Sequence, residues 1–192
     1  MNHRGVYLVA LILSATVAMA GADSYVIDKN HSSVDFSIPH LVSKTKGTFG
    51  DFSGTIVYDA AHPEQSRFTG TIDVSSIDTQ NERRDGHLQS ADFFDVANHP
   101  SISFASTGVK KVADGQLHVV GDLTMHGVTQ LVTIPVDILG TGTNPMNGKK
   151  QVGLVGDLTI KASEYGVNSW ENFKAVLGDE VTIEIVVEAN AG

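Results

Sequence analysis

The sequence predicts an all-β protein, an antiparallel barrel of about eight strands with one or two short helices. Apolar and polar residues alternate with period two in run after run between residues 33 and 188, which is the pattern of strands with one buried face. Turn-forming clusters separate the runs at 59–64 with Pro63, at Asp114-Gly115, at His126-Gly127 and at 140–148 with Pro145. A long antiparallel sheet with one wet face must bury the other, and rolling it into a barrel does so while removing its edges. A two-sheet sandwich satisfies the same alternation and is the alternative architecture.

The elements follow in chain order. Arg4 is the only charged residue before Asp23, residues 6–17 are uncharged and largely apolar, and Ala18-Met19-Ala20 supplies small residues for cleavage, with Ala20-Gly21-Ala22 as a second site. A basic start, a short apolar stretch and an A-x-A end make residues 1–22 a secretory signal peptide. The apolar run is too short and too interrupted, by Ser14 and Thr16, for a spanning helix of about 20 residues. Residues 23–192 then form one domain, 170 residues long, ample for a single core.

Within that domain Val34, Phe36 and Ile38 alternate with serine and aspartate, and weaker strands are read near 44–49 and 52–59. Phe68, Ile72 and Val74 mark the next strand, and Ile102 and Phe104 the one after. Leu117, Val119, Leu123 and Met125 share one face, as do Val128, Val132, Ile134, Val136 and Ile138. Val152, Leu154, Leu158 and Ile160 are followed by Val181, Ile183, Ile185 and Val187. Residues 78–94 break the alternation, and their charged start predicts a short helix capped by Asp78 or Thr79. A second short helix or loop is predicted at 169–177. Both excursions are suited to cover a barrel end.

The formal charge is −9, and −10 once Arg4 is removed. An acidic surface repels nucleic acid and anionic headgroups, so neither is an expected partner. There is no cysteine. That excludes a thiol nucleophile, a cysteine zinc site and a lipid-modified N-terminus, and leaves the fold to rest on burial rather than disulfides. The mature protein is expected free of the membrane, in the periplasm or secreted.

Gly54, Gly70, Gly121 and Gly156 fall on the inward parity of their strands. Glycine weakens a strand interior. Two explanations stand: kinks that let the sheet close, or missing volume that leaves room for a guest, since an eight-stranded barrel can hold one small ligand. Phe36, Phe49, Phe52, Phe68, Phe93, Phe94, Phe104 and Phe173 offer a wide apolar lining, which serves a small-molecule site or a packed core equally. Seven histidines follow the leader, none in a short metal-ligating spacing. His118 and His126, on one polar strand face, stand about 26 Å apart at strand rise, so no metal site is predicted. No nucleophile elbow is present, and Asp78, Asp85, His87 and Asp92 are read as helix capping and solvated surface, so no catalytic residue and no cofactor is predicted.

The chain is similar, over nearly all of residues 25–188, to the YceI-like family of bacterial periplasmic proteins, also called polyisoprenoid-binding-like. The resemblance rests on Tyr25-Val26-Ile27-Asp28 followed by His31-Ser32, Val34, Phe36 and His40, read as one first strand; on Gly47-Thr48-Phe49 and Phe52-Ser53-Gly54; and on Gly121-Asp122-Leu123-Thr124 with Gly127-Val128-Thr129. Its most specific part is Ser76-Ile77-Asp78-Thr79, Arg84-Asp85, His87-Leu88 and Ser90-Ala91-Asp92-Phe93-Phe94. The resemblance implies a lipocalin-like barrel with an elongated apolar lumen, non-covalent binding of a long isoprenoid, quinone-like or fatty-amide lipid, and no established catalytic residues; family members can pair as homodimers, and no exposed patch in the sequence decides that for this chain. Many family members carry a basic residue where Ala162 stands here, with Lys161 beside it directed outward by parity.

The ligand-binding set expected from this reading is Phe36, His40, Phe49, Phe68, Arg84, His87, Leu88, Phe93, Phe94, Phe104, Leu123, Ile134 and Ile160. The competing function is an enzyme acting on such a lipid, with His87 and the neighbouring acids as acid–base groups. The leader reading has a direct check: the intact mass of the exported protein should place its first residue near Gly21 or Asp23, whereas a full-length chain embedded in membrane would contradict it.

Overall fold

A computed structural model describes residues 22–167 and 175–192. Residues 1–21 of the predicted signal peptide, Phe173 and most of the 169–177 excursion therefore lie outside the described residues. What is described is built from eleven strands and one α-helix: β1 Asp23–Ile27, β2 Ser33–His40, β3 Ser43–Phe49, β4 Phe52–Tyr58, β5 Arg67–Asp73, β6 Ile77–Asp78, α1 Glu82–Leu88, β7 Ser101–Ala113, β8 Gln116–Met125, β9 Val128–Thr143, β10 Lys150–Lys161 and β11 Glu180–Ala191.

Neighbouring strands pair antiparallel in the order β1-β4-β5-β7-β8-β9-β10-β11, and β11 returns to β1, so eight strands close a barrel. β11 serves two partners along one edge. Its last residues, Ala189 to Ala191, pair with β1, and Thr182 to Val186 pair with β2. β2, β3 and the two-residue β6 thereby extend the wall at one end. The sequence suggested one strand from Tyr25 to His40. The chain instead breaks at a 3₁₀ turn, Lys29–His31, where the Asp28 carboxylate accepts from the Asn30 backbone N–H at 3.0 Å. Capping by the aspartate stabilises the break and lets β1 and β2 occupy different stretches of β11.

The alternation read from the sequence is the alternation of burial. In β8 every inward residue, Leu117, Val119, Gly121, Leu123 and Met125, is buried, while Gln116, His118 and Asp122 are exposed. The core has two lobes. One gathers Tyr25, Ile56, Tyr58, Leu117, Val119, Val152 and Ala189. The other, toward α1, gathers Phe49, Phe52, Val74, Ile77, Leu123, Met125, Ile160 and Tyr165. Full burial of one such apolar side chain stabilises by about 1.5–3 kcal/mol.

Three local expectations need correction. The helix begins at Glu82, and its cap is Asn81 rather than Asp78 or Thr79: the Asn81 side chain accepts from the Arg84 N–H at 3.0 Å. Asp78 instead accepts from the Gln80 N–H at 2.6 Å, holding the turn ahead of the helix. Val74 leaves β5 and is buried in a 3₁₀ turn, Val74–Ser76. His126 is not on the outer face of β8. It sits in the β8–β9 turn with φ 52° and is half-buried.

The inward glycines divide into two kinds. A Cβ on Gly121 would lie 2.5 Å from the Ala105 carbonyl oxygen and 2.6 Å from Phe104 Cζ. A Cβ on Gly54 would strike the Thr69 carbonyl and lie 2.7 Å from Ile27 Cδ1. These two positions permit close approach, and Gly121 stands opposite Ser106, where the β7–β8 register shifts at a bulge. Gly70 is different: its nearest neighbour would be the Ser53 carbonyl oxygen at 3.9 Å. Gly121→Leu should therefore lose about 1–3 kcal/mol of stability through overpacking, measured by denaturant unfolding, while Gly70→Leu should unfold close to wild type.

Asp28 also accepts from His31 Nδ1 at 3.1 Å and from Asn190 Nδ2 at 3.3 Å. The hydrogen bond to His31 holds the Asp28 carboxyl below its usual range, and the same bond raises the His31 pKa. The histidine's contribution is complete below its ordinary pKa and is lost as pH rises through the raised value; the aspartate's is complete above its ordinary pKa and is lost as pH falls through the lowered one. An NMR titration should show the raised His31 midpoint in wild type and its return toward the ordinary value in Asp28→Asn.

Candidate functional site

The barrel encloses a cavity of about 360 Å³. Its walls are the inward residues of the strands, and its cover is α1 with the loop that follows. All thirteen residues of the expected set border it. Phe36 and His40 come from β2, Phe49 from β3, Phe68 from β5, Phe104 from β7, Leu123 from β8, Ile134 from β9 and Ile160 from β10. Arg84, His87 and Leu88 come from α1, and Phe93 and Phe94 from the loop behind it.

Aromatic rings of the cover and of the β2–β3 wall meet in two groups. Phe36 and Phe49 have centroids 5.5 Å apart, Phe49 and Phe94 meet edge to face at 6.2 Å, and His87 meets Phe93 edge to face at 5.0 Å. Such arrangements match the ring quadrupoles and add to area burial. Gly70 and Gly156 border the cavity, whereas Gly54 and Gly121 do not. Missing volume holds at Gly70 and close approach at Gly54 and Gly121, while Gly156 borders the cavity and is itself crowded, since a Cβ there would lie 3.2 Å from Ile134 Cγ2 and 3.4 Å from the Pro135 carbonyl oxygen.

The charged and imidazole groups bordering the cavity gather at the covered end. Arg84 donates from Nε to the Thr79 hydroxyl and from Nη2 to the Thr79 carbonyl, each at 2.7 Å. Thr79 in turn donates its backbone N–H to Asp85 Oδ1 at 2.9 Å, and its hydroxyl to the same oxygen. The buried threonine thus links the guanidinium to a carboxylate, so two opposite charges of the cover balance locally. His87 Nε2 lies 3.1 Å from Asp92 Oδ2. His40 ends β2 and forms a bridge with Leu177. Thr45 completes this polar end.

The acid–base reading of this region meets three facts. Asp85 is engaged by Thr79 and Asp78 by the Gln80 N–H. The nearby hydroxyl of Ser90 donates to the His87 carbonyl at 2.7 Å, not to its ring. His87 Nε2 and Asp92 Oδ2 form an imidazole–carboxylate pair at the edge of the cover.

The sequence reading left out a number of lining residues, among them Ile27, Thr79, Val119, Val136, Leu154, Leu158, Val167 and Ile185. Most share the inward parity of residues that were chosen, so alternation was the signal that could have found them. Ala162 is buried and borders the cavity, while Lys161 is exposed with its ammonium 3.9 Å from Glu164. The methyl group of Ala162 therefore stands where a longer basic side chain would reach the lumen, and Lys161 does not replace it.

Comparison with known proteins agrees with this architecture. The YceI-like domain matches residues 25–189. Protein YceI of Escherichia coli is 40% identical over 190 residues, covering 96% of this chain and 94% of that protein. Among solved structures, Burkholderia cenocepacia BcnA superposes with a TM-score of 0.78 at 27% identity, over 84% of this chain and 98% of that one. A polyisoprenoid binding domain from Saccharophagus degradans gives a TM-score of 0.68 at 18% identity, over 88% and 98% of the two chains, and shares the fold. With its barrel, its covered apolar lumen and a match that spans almost the whole described chain, the protein belongs to the YceI-like domain family.

Proposed function

We propose that this protein is an exported, periplasmic or secreted carrier that holds a long isoprenoid or similar amphiphilic lipid non-covalently in the barrel lumen. The observation that carries the reading is the cavity itself: about 360 Å³, walled by aliphatic and aromatic side chains, with its charged and imidazole groups confined to the covered end. An apolar pocket with a few placed polar groups is the usual form of a small-molecule site. Burying one five-carbon isoprene unit stabilises by up to about 4 kcal/mol at about 0.8 kcal/mol per CH₂, so a few units suffice for tight binding.

The head of the ligand is neutral or weakly polar in this reading. A diphosphate wants several cations or a helix N-terminus. Of the arginines after the leader, Arg67, Arg83 and Arg84, Arg84 alone borders the cavity, and its guanidinium is engaged by Thr79. Ala162 adds no charge. A quinone-like ring or a fatty amide suits His40, Thr45 and His87 better, as groups that exchange single hydrogen bonds.

Native mass spectrometry of the exported protein after mild extraction is the test. It should show a co-purified lipid in wild type, and Gly70→Leu should lose it while still melting cooperatively, because the new side chain occupies lumen rather than wall. Wild type free of lipid, and unable to take up a quinone or a fatty amide, would end the carrier reading. The His87–Asp92 pair favours the enzymatic alternative enough to be checked in the same preparation: conversion of the bound lipid that disappears in His87→Ala would establish it, whereas a carrier shows changed affinity at most.

A further inference from the structure

We propose that Asp95, His99 and His126 form a binding site for a divalent metal ion of the zinc class, outside the lumen. Sequence spacing hides this site, because two donors lie in the loop behind α1 and the third in the β8–β9 turn. Folding brings one ligand atom from each residue to within 4.8 Å of the others, and all three residues are half-buried.

Two of the three donors, Asp95 and His126, are oriented by hydrogen bonds. Asp95 and His99 begin and end one turn, closed by the His99 N–H donating to the Asp95 carbonyl at 2.8 Å. Asp95 Oδ2 accepts from Asn98 Nδ2 at 2.8 Å, which orients the carboxylate. His126 Nδ1 lies 3.2 Å from the Tyr165 carbonyl oxygen. A carbonyl only accepts, so Nδ1 donates here and Nε2 is the nitrogen left to face an ion. A ligating histidine typically has its other ring nitrogen fixed in this way.

The backbone around the cluster is shaped to bring the rings together. Asp95 and His126 have φ of 46° and 52°, a left-handed region that non-glycine residues enter only when the surrounding structure imposes it. Gly127, at φ 76°, leaves room for the neighbouring ring, since a Cβ there would lie 2.8 Å from His99 Cε1. The His99 and His126 rings stand 4.6 Å apart at 62°, close enough for both to reach one shared ion. Two imidazole nitrogens and one carboxylate oxygen form a donor set that zinc and its transition-metal neighbours accept, with water completing the coordination. Such an ion would tie the loop bearing Phe93 and Phe94 to the β8–β9 turn and to the 3₁₀ turn at Ala162–Tyr165.

The test is calorimetric titration of the chelator-stripped mature protein with Zn²⁺ alone, with Co²⁺ absorption reporting nitrogen and oxygen ligation. Wild type should bind one ion with micromolar or tighter affinity and melt at a higher temperature with the ion. His99→Phe, which keeps an aromatic ring in place, and Asp95→Asn should each weaken binding by at least tenfold and abolish the thermal gain. His31→Ala, which removes a donor from the separate Asp28, His31 and Glu188 group, should leave binding intact. Absence of saturable one-to-one binding, binding retained in His99→Phe, or loss in His31→Ala would each overturn the assignment.

Discussion

Three registered pairs, Tyr25 with Ala191, Val26 with Asn190 and Ile27 with Ala189, close the ring of eight strands. Everything else follows from that closure. An open sheet of this length would leave two edges of unsatisfied N–H and C=O groups and would need a second layer to cover its apolar face. Closure satisfies the edges and turns the apolar face inward on itself. The division of β11 between β1 and β2 then matters as much as the closure. Because β1 uses only the end of β11, the remaining edge is free for β2, on which β3 then pairs, and these strands lengthen one wall and give α1 and its following loop something to rest against.

A closed eight-stranded barrel is wide enough to be filled or to hold a guest, and this one does both. Toward the end away from α1 the side chains meet across the lumen, with Val119, Val152 and Ala189 almost wholly excluded from solvent. Glycine decides the difference locally. At Gly121 the Phe104 ring lies on the strand where a Cβ would stand, so the missing side chain is replaced by a neighbour's. At Gly70 the missing side chain adds to the cavity instead. Identical residues at identical parity thus act oppositely, according to what the next strand places beside them.

The cover follows a different rule from the walls. Its charges are arranged to cancel among themselves, through the path from Arg84 by way of Thr79 to Asp85, which spares the lumen an uncompensated charge. Strain is also concentrated near this end: Leu41, Gln80, Asp95 and His126 are the non-glycine residues with positive φ among the described residues. Strained backbone of this kind persists where surrounding structure over-determines it. Here side-chain caps and turn hydrogen bonds supply that constraint, as at Gln80, whose N–H is held by Asp78.

Period-two alternation determined the barrel strands and their inward faces, because a strand exposes one face to water and the chemistry of each face is written residue by residue. It therefore also determined the lining of the lumen, down to Phe36, Phe68, Phe104, Leu123 and Ile160. What it could not decide were features set by contacts between distant segments. The break between β1 and β2 depends on which stretch of β11 each one meets. The helix cap fell to Asn81, a choice among neighbouring polar residues that only the path of the chain resolves. The different fates of Gly121 and Gly70 depend on Phe104, one strand away. The meeting of His99 with His126 depends on a loop folding against a turn. Local pattern records which face of an element is buried; the partner that buries it is fixed only when the ring closes.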